Sequence, residues 1–276
     1  MPSADSSGTN KSGSASPWIS GTKTLQAHLL LAPNASAWTL EGTNTWMLRD
    51  PDSAVTIVVD PGPDDTGHLD RILEHARATD APIGGIVLTH GHVDHSAGAQ
   101  RLADQAGVWV RALDPAHRLG SEGLESGDVI TAGALEIRVV STPGHSQDSV
   151  SLLLPAEGSL LTGDTVLGRG TTVIAWPDGR FGEYVESLTV LRALAEQGAV
   201  DRILPGHGPT LMDPAGVLDA YLAHRRMRLE EVRVLVAAGV RAPEDIVAAM
   251  YVDVDRGLWP AAEMSVRAQL EYLNAL

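Results

Sequence analysis

Short apolar runs alternate with amphipathic stretches through most of the chain, a pattern that predicts an α/β fold. "AVTIVVD" (54–60) is a β-branched run stopped by Pro61 and Gly62, hence a buried strand entering a turn. In the following "HLDRILEHARA", Leu69, Ile72, Leu73 and Ala76 recur at helical spacing. "GGIVLTH" (84–90) is the next buried strand, with His90 at its end, and "AGAQRLADQAG" (97–107) reads as a helix closed by Gly107. "LLLA" (29–32) is part of a strand, and further strands are expected at 127–131, 135–141, 149–154 and 159–163. A helix over 181–197 carries Tyr184, Leu188, Leu191 and Leu194 on one face, and "RILPGHGP" (202–209) is a short strand turning at His207.

From about residue 213 the strands stop. Asp213 is a plausible N-cap with Pro214 at the first helical position, and that helix ends at Gly239. A second helix follows Pro243 with Ile246, Val247 and Met250 on one side, and a third, from about Ala261, carries Val266, Leu270 and Leu273. The expected organisation is therefore a Ser/Gly-rich tail at 1–17, unable to order itself, an α/β domain at 18–212 and a small helical unit at 213–276. No internal repeat is visible.

Composition narrows the chemistry. The chain has no cysteine, so disulfides and thiolate zinc sites are excluded, and any zinc must sit on imidazole and carboxylate groups. No apolar run is long enough to span a bilayer, the first residues lack a signal-peptide core, and the cytoplasm is the default compartment. The formal net charge of −15 disfavours bulk attraction to a phosphate backbone. Lys11 and Lys23 are the only lysines. One basic cluster exists, "HRRMR" (224–228), which is either a solvated helix face pairing with Glu230 and Glu231 or an anion contact.

Against that background "LTHGHVDHSAG" (88–98) stands out, with three histidines and an aspartate between His90 and His95. It lies in the loop after a buried strand, where side chains converge on open space. His90 and His92 alternate by two and project to one side of an extended backbone. Asp94 and His95 fall where the chain turns into a helix. Three further loops after expected strands each add one ligand type: His145 in "STPGHSQDS", Asp164 in "LLTGDTVLG" and His207 in "ILPGHGP", each preceded by glycine. These residues point to a metal site.

The HxHxDH run with His145, Asp164 and His207 in this order resembles the dinuclear ligand set of the metallo-β-lactamase superfamily, in its glyoxalase II and ribonuclease branches. The resemblance implies an αββα sandwich with a winged-helix-like C-terminal appendage. It implies that His90, His92 and His145 hold one metal, that Asp94, His95 and His207 hold the other, and that Asp164 bridges both. It also implies that Asp60, otherwise a simple turn former, supports the histidine loop from behind. The true β-lactamases of the fold lack the bridging carboxylate, which reduces antibiotic hydrolysis to a side activity. Nearly the whole chain is similar to the β-lactamase-like-protein-2 group, whose animal members are endoribonucleases acting on single-stranded RNA. The shared stretches are "LEGTNTWML" (40–48), "TPGHSQDS", "GDTVLGRGTTV" (163–173), "PGHGP" and "HRRMR". That group continues into a basic wing, whereas here the sequence stops at Leu276.

The expected cofactor is two Zn²⁺ per chain, with iron or manganese also compatible with the donors. Two ions about 3.5–4 Å apart share a water, lower its pKa to about 7 and present hydroxide at neutral pH. Asp94 would orient that hydroxide. The expected reaction is hydrolysis of a single-stranded RNA phosphodiester, or alternatively of a small anionic thioester or ester. A mononuclear iron persulfide dioxygenase and a nucleic-acid-binding regulator with a structural metal are the competing classes. Expected helpers are His224 as leaving-group proton donor, Thr171 and Thr172 of the "GRGTTV" segment lining the cleft unless it is only a tight loop, and Arg225, Arg226 and Arg228 gripping an anion. His28, His68, His75 and His117 lack motif context and are read as structural.

Overall fold

The computed structural model describes residues 24–275, so the expected tail at 1–17 and both lysines lie outside the described residues. Ten strands form two five-stranded sheets. The first runs β1 (Ala27–Leu31), β2 (Asn44–Leu48), β3 (Thr56–Val59), β4 (Ile83–Val87), β5 (Val110–Arg111), in that order across the sheet. The pairs from β1 to β3 are antiparallel, and those from β3 to β5 are parallel. The second runs β10 (Arg202–Pro205), β9 (Ser159–Gly163), β8 (Val150–Leu154), β7 (Leu135–Ser141), β6 (Val129–Ala132), with only β9 and β10 parallel.

The strands are apolar on both faces because both faces are covered. Trp46, Leu48, Ile57, Val59 and Val87 point into the space between the sheets. There they meet Leu135, Ile137, Val139, Val150, Leu152, Leu154 and Leu161. The alternate residues face outward. Met47, Val58 and Ile86 pack under α1 (Thr66–Ala78) and α3 (Ala99–Ala106). Leu153 and Leu160 pack under α4 (Phe181–Glu196), α5 (Pro214–Ala237) and α7 (Trp259–Asn274). The expected αββα sandwich with C-terminal helices is the architecture observed.

Three features differ from what the apolar pattern predicts. A single helical turn, α2 (Val93–Ser96), precedes α3, where the pattern marked only the helix over 97–107. Strands β2 and β5 are not marked by that pattern, the latter being only two residues long. Packing also continues across residue 213. Leu218, Tyr221 and Leu222 at the start of α5 belong to the core under the second sheet, while Val232 near its end belongs to a separate small core with α6 (Pro243–Met250) and α7. Among the described residues no helix is long and apolar enough to cross a membrane.

One polar chain runs from the exposed Arg71 through the buried His68 and Thr45 to the start of the β3–α1 loop. Arg71 Nη2 lies 3.0 Å from His68 Nδ1, His68 Nε2 lies 2.8 Å from Thr45 Oγ1, and Thr45 donates to the Asp60 carbonyl at 2.7 Å. Because the threonine proton goes to Asp60, His68 must donate from Nε2 and accept from Arg71 at Nδ1. Burial, then the nearby Arg71 charge, lowers the His68 pKa from 6.5 to about 4. A depressed folded-state value means that the unfolded chain takes up a proton the native protein refuses, so stability falls as pH drops from about 6.5 toward about 4. Urea unfolding at pH ~7 and ~5 is expected to show a smaller acid loss in His68→Gln than in wild type; equal losses would remove His68 as a source of the sensitivity.

Candidate metal centre

The ends of five strands deliver the site. Asp60 follows β3, His90 and His92 follow β4, His145 sits in the β7–β8 connection, Asp164 follows β9 and His207 follows β10. Asp94 and His95 come from the single turn α2. Bulk is excluded where these loops cross. A Cβ on Gly206 would meet Asp164 Oδ1 at 2.6 Å and His95 Cε1 at 2.8 Å, so this glycine is required for space. Gly163 is required for conformation, with φ +47° immediately before Asp164.

Two donor groups result. His92 Nδ1 lies 3.1 Å from His90 Nε2 and 3.0 Å from His145 Nε2. On the other side His95 Nε2 lies 3.1 Å from His207 Nε2, and Asp94 Oδ2 lies 3.2 Å from His207 Nε2 and 3.4 Å from His95 Nε2. Asp164 stands between the groups, with Oδ1 3.4 Å from His95 Nε2 and Oδ2 3.3 Å from His207 Nε2 and 3.9 Å from His145 Nε2. The clusters His90–His92–His145 and Asp94–His95–His207 each offer three mutually close donor atoms.

Partners on the far side of each ring decide which nitrogen faces inward. His145 Nδ1 donates to Val173 O at 2.7 Å and His207 Nδ1 to Gly42 O at 3.1 Å. His95 Nδ1 donates to Asp60 Oδ2 at 2.9 Å. Thr89 Oγ1 gives its proton to Asp60 Oδ2 at 2.6 Å and so accepts from His90 Nδ1 at 3.0 Å. In all four rings the Nε2 lone pair is thereby directed into the site, the arrangement that outer partners impose on metal-ligating histidines.

That arrangement fits a cation. Burial, reinforced by neighbouring imidazoles, holds His90 well below its ordinary pKa and lowers His145 to about 4, so these two rings stay unprotonated. Facing lone pairs about 3 Å apart repel unless a positive centre lies among them, and that spacing matches ligands around an ion bound at about 2.0–2.1 Å. Asp164 Oδ1 is buried and has no hydrogen-bond partner, an unmet acceptor that a cation satisfies. In the second group burial alone would lower His95 and His207. Asp164, helped by Asp60 and Asp94 respectively, outweighs it, raising His95 well above its ordinary value and His207 to about 9. Against the raising effect of burial, His207 and His95 hold the Asp94 carboxyl low and the Asp164 carboxyl well below its usual range.

The expected helper residues are not brought together. His224 is half-buried on α5, outside both donor groups, and burial with Arg225 and Arg228 lowers its pKa. Thr172 is buried with Oγ1 3.3 Å from His145 Nδ1, and only Thr171 is exposed. The three arginines do not form one clamp either. Arg225 is 3 % exposed and donates to Thr172 O at 2.6 Å, Arg226 is exposed, and Arg228 pairs with Glu231 at 2.8 Å while lying over the Tyr251 ring. Helical geometry explains this divergence, because consecutive residues point about 100° apart.

Sequence reasoning missed Thr89, Gly42 and Val173, which act through a hydroxyl or a backbone carbonyl and carry no ligand signature. It also missed the groove of about 500 Å³ that opens beside His92, lined by His117, Ser146, Asp114, Asp148 and Asp178 among others.

Comparison with known proteins agrees with this geometry. A family profile described as the metallo-beta-lactamase superfamily matches residues 38–207, and one described as a beta-lactamase associated winged helix domain matches 242–275. The chain is 32 % identical over 274 residues to the beta-lactamase-like protein 2 homolog of Drosophila melanogaster, covering 89 % of this chain and 86 % of that protein. The crystal structure of a metallo-beta-lactamase family protein from Thermus thermophilus aligns with TM-score 0.75 at 19 % identity, covering 91 % of this chain and 93 % of that one. A beta-lactamase domain protein from Burkholderia ambifaria aligns with TM-score 0.76 at 24 % identity, covering 91 % and 86 %.

Because ligation requires neutral imidazoles, while His95 and His207 favour protonation near neutral pH, zinc binding at pH ~7 is expected to release protons. Isothermal titration in buffers of different ionisation enthalpy measures this, and a buffer-independent heat would contradict the arrangement of charges described above.

Proposed function

The chain belongs to the metallo-β-lactamase superfamily of metal-dependent hydrolases, and from that membership we propose a hydrolase acting through two divalent cations on a small ester or thioester. The observation that carries the dinuclear reading is the Asp164 carboxylate, lying between the two donor groups with a buried oxygen that lacks a partner. The imidazole and carboxylate donors suit zinc, and iron or manganese share the preference. Bound there, two such ions supply Lewis acidity and a nucleophile from water at neutral pH.

The chain's own residues do the rest. Asp94 is the more open of the site's two carboxylates, its side chain 26 % exposed against 12 % for Asp164. It stays ionised and so orients an attacking water by accepting its hydrogen. Asp60, Val173 and Gly42 keep the rings of His95, His145 and His207 turned so that Nε2 faces the site. The groove beside His92 is where the non-reacting part of a substrate would lie.

Its lining favours a small acyl substrate over a polyanion. Asp114, Asp148 and Asp178 surround the entrance, no lysine occurs among the described residues, and the arginine cluster is divided between the interior and the surface. A phosphodiester chain would meet net negative charge, which repels it. Single-stranded RNA remains the second reading, favoured by the whole-length likeness to the beta-lactamase-like protein 2 homolog.

A side-by-side assay of zinc-loaded protein on acyl-thioesters, p-nitrophenyl esters and labelled unstructured RNA distinguishes them. Ester or thioester turnover is expected, with Asp164→Ala losing metal and most activity. RNA cleavage abolished by the same substitution would favour the second reading, and full metal content in Asp164→Ala would remove the bridging role.

A further inference from the structure

The segment between Asp164 and Arg180 makes little secondary structure of its own, yet it places one metal-site carboxylate and the carbonyl that orients a second ligand. Its path is held from outside. Tyr184 of α4 donates to Thr165 O at 2.7 Å. Tyr221 of α5 accepts from Leu167 N at 2.9 Å and donates to Leu167 O at 3.3 Å. Arg225 of α5 donates to Thr172 O, and Ser265 of α7 accepts from Ile174 N at 3.2 Å. Between those last two anchors lies Val173, whose carbonyl holds His145 Nδ1.

Arg225 is an unusual anchor. It is buried, its guanidinium carbon is 4.9 Å from the Tyr184 ring centroid, and its Nε has no hydrogen-bond partner. An apolar side chain of similar volume would remove the cost of burying this charge but leave the buried Thr172 carbonyl without its donor. What an apolar residue cannot supply is a charge-assisted donor aimed at the carbonyl next to Val173. Within the "HRRMR" run only this arginine turns inward, since Arg226 is exposed and Arg228 is paired with Glu231.

We infer that Arg225 is a positioning residue for the metal site: by anchoring Thr172 it sets the Val173 carbonyl, and through it the tautomer and angle of His145, so that the C-terminal helices tune the His90–His92–His145 group. The inference rests on the reading that this group binds metal. It gives the arginine motif a role toward the ligand sphere in place of the expected contact with an anionic substrate.

The test compares wild type, Arg225→Met and Arg225→Lys for thermal stability, zinc affinity by competition with a chromophoric chelator, and the visible spectrum of the Co²⁺-loaded protein. Arg225→Met is expected to fold with a modestly lowered melting temperature, to lose about ten-fold or more in affinity at one of two sites, and to shift the cobalt bands. Arg225→Lys restores a donor at the same place and is expected to recover part of both. If Arg225→Met does not fold, Arg225→Lys decides: reduced affinity at one site and altered bands support the positioning role. Folded variants with wild-type affinity and spectrum overturn it, as does affinity lost only in proportion to stability. Wild-type protein that binds no metal would overturn the metal reading itself, a distinct result.

Discussion

The carboxylate of Asp60 is the constraint on which the site depends. It is 1 % exposed, and its backbone has φ +50°, a left-handed conformation costly for a residue with a Cβ. That cost and the cost of burying a charge are offset by three donors: the Thr89 amide on Oδ1, and the Thr89 hydroxyl and His95 Nδ1 on Oδ2. Its own amide bonds Val87 O, and its carbonyl receives Thr45. One buried anion thus orients His95 directly and His90 through Thr89, one ring in each donor group. Buried polar networks of this kind act as a unit, since removing any member leaves the others unsatisfied.

The two donor groups built on that frame are chemically unlike. His90, His92 and His145 offer nitrogen only, and the burial of His90 and His145 keeps those two rings neutral. Asp94, His95 and His207 mix oxygen with nitrogen, and Asp164, helped by Asp60 and Asp94, draws protons onto the rings. Asp164 faces both groups, nearer to the second, at 3.3 and 3.4 Å against 3.9 Å. A cation bound on the first side would displace no proton from His90 or His145, whereas one bound on the second would displace protons from His95 and His207, so the two groups would differ in how their occupancy responds to pH.

The C-terminal helices are part of this same structure. Helix α5 carries side chains into the core beneath the second sheet and, further along, into the small core it shares with α6 and α7. The segment after Asp164 therefore rests on groups from α4 and from the C-terminal helices α5 and α7. The inward arginine is committed to that loop by its position on the helix, while Arg226 next to it faces solvent.

The sequence by itself determined the layers of the fold and the ligand types at its centre. Helical and strand periods are local, and strands 135–141 and 159–163 lie where the apolar pattern placed them. Histidine, aspartate and glycine clustered after strands mark metal chemistry because few other uses require them so close together. Tertiary structure alone decided which ring nitrogen faces inward, because that depends on Thr89, Val173 and Gly42, whose contributions are a hydroxyl and two carbonyls with no signature in sequence. It alone divided "HRRMR" into an interior and an exterior charge and lined the groove beside His92 with carboxylates from three separate loops. Those outcomes are set by distances between residues far apart in the chain, and a one-dimensional pattern holds no record of them.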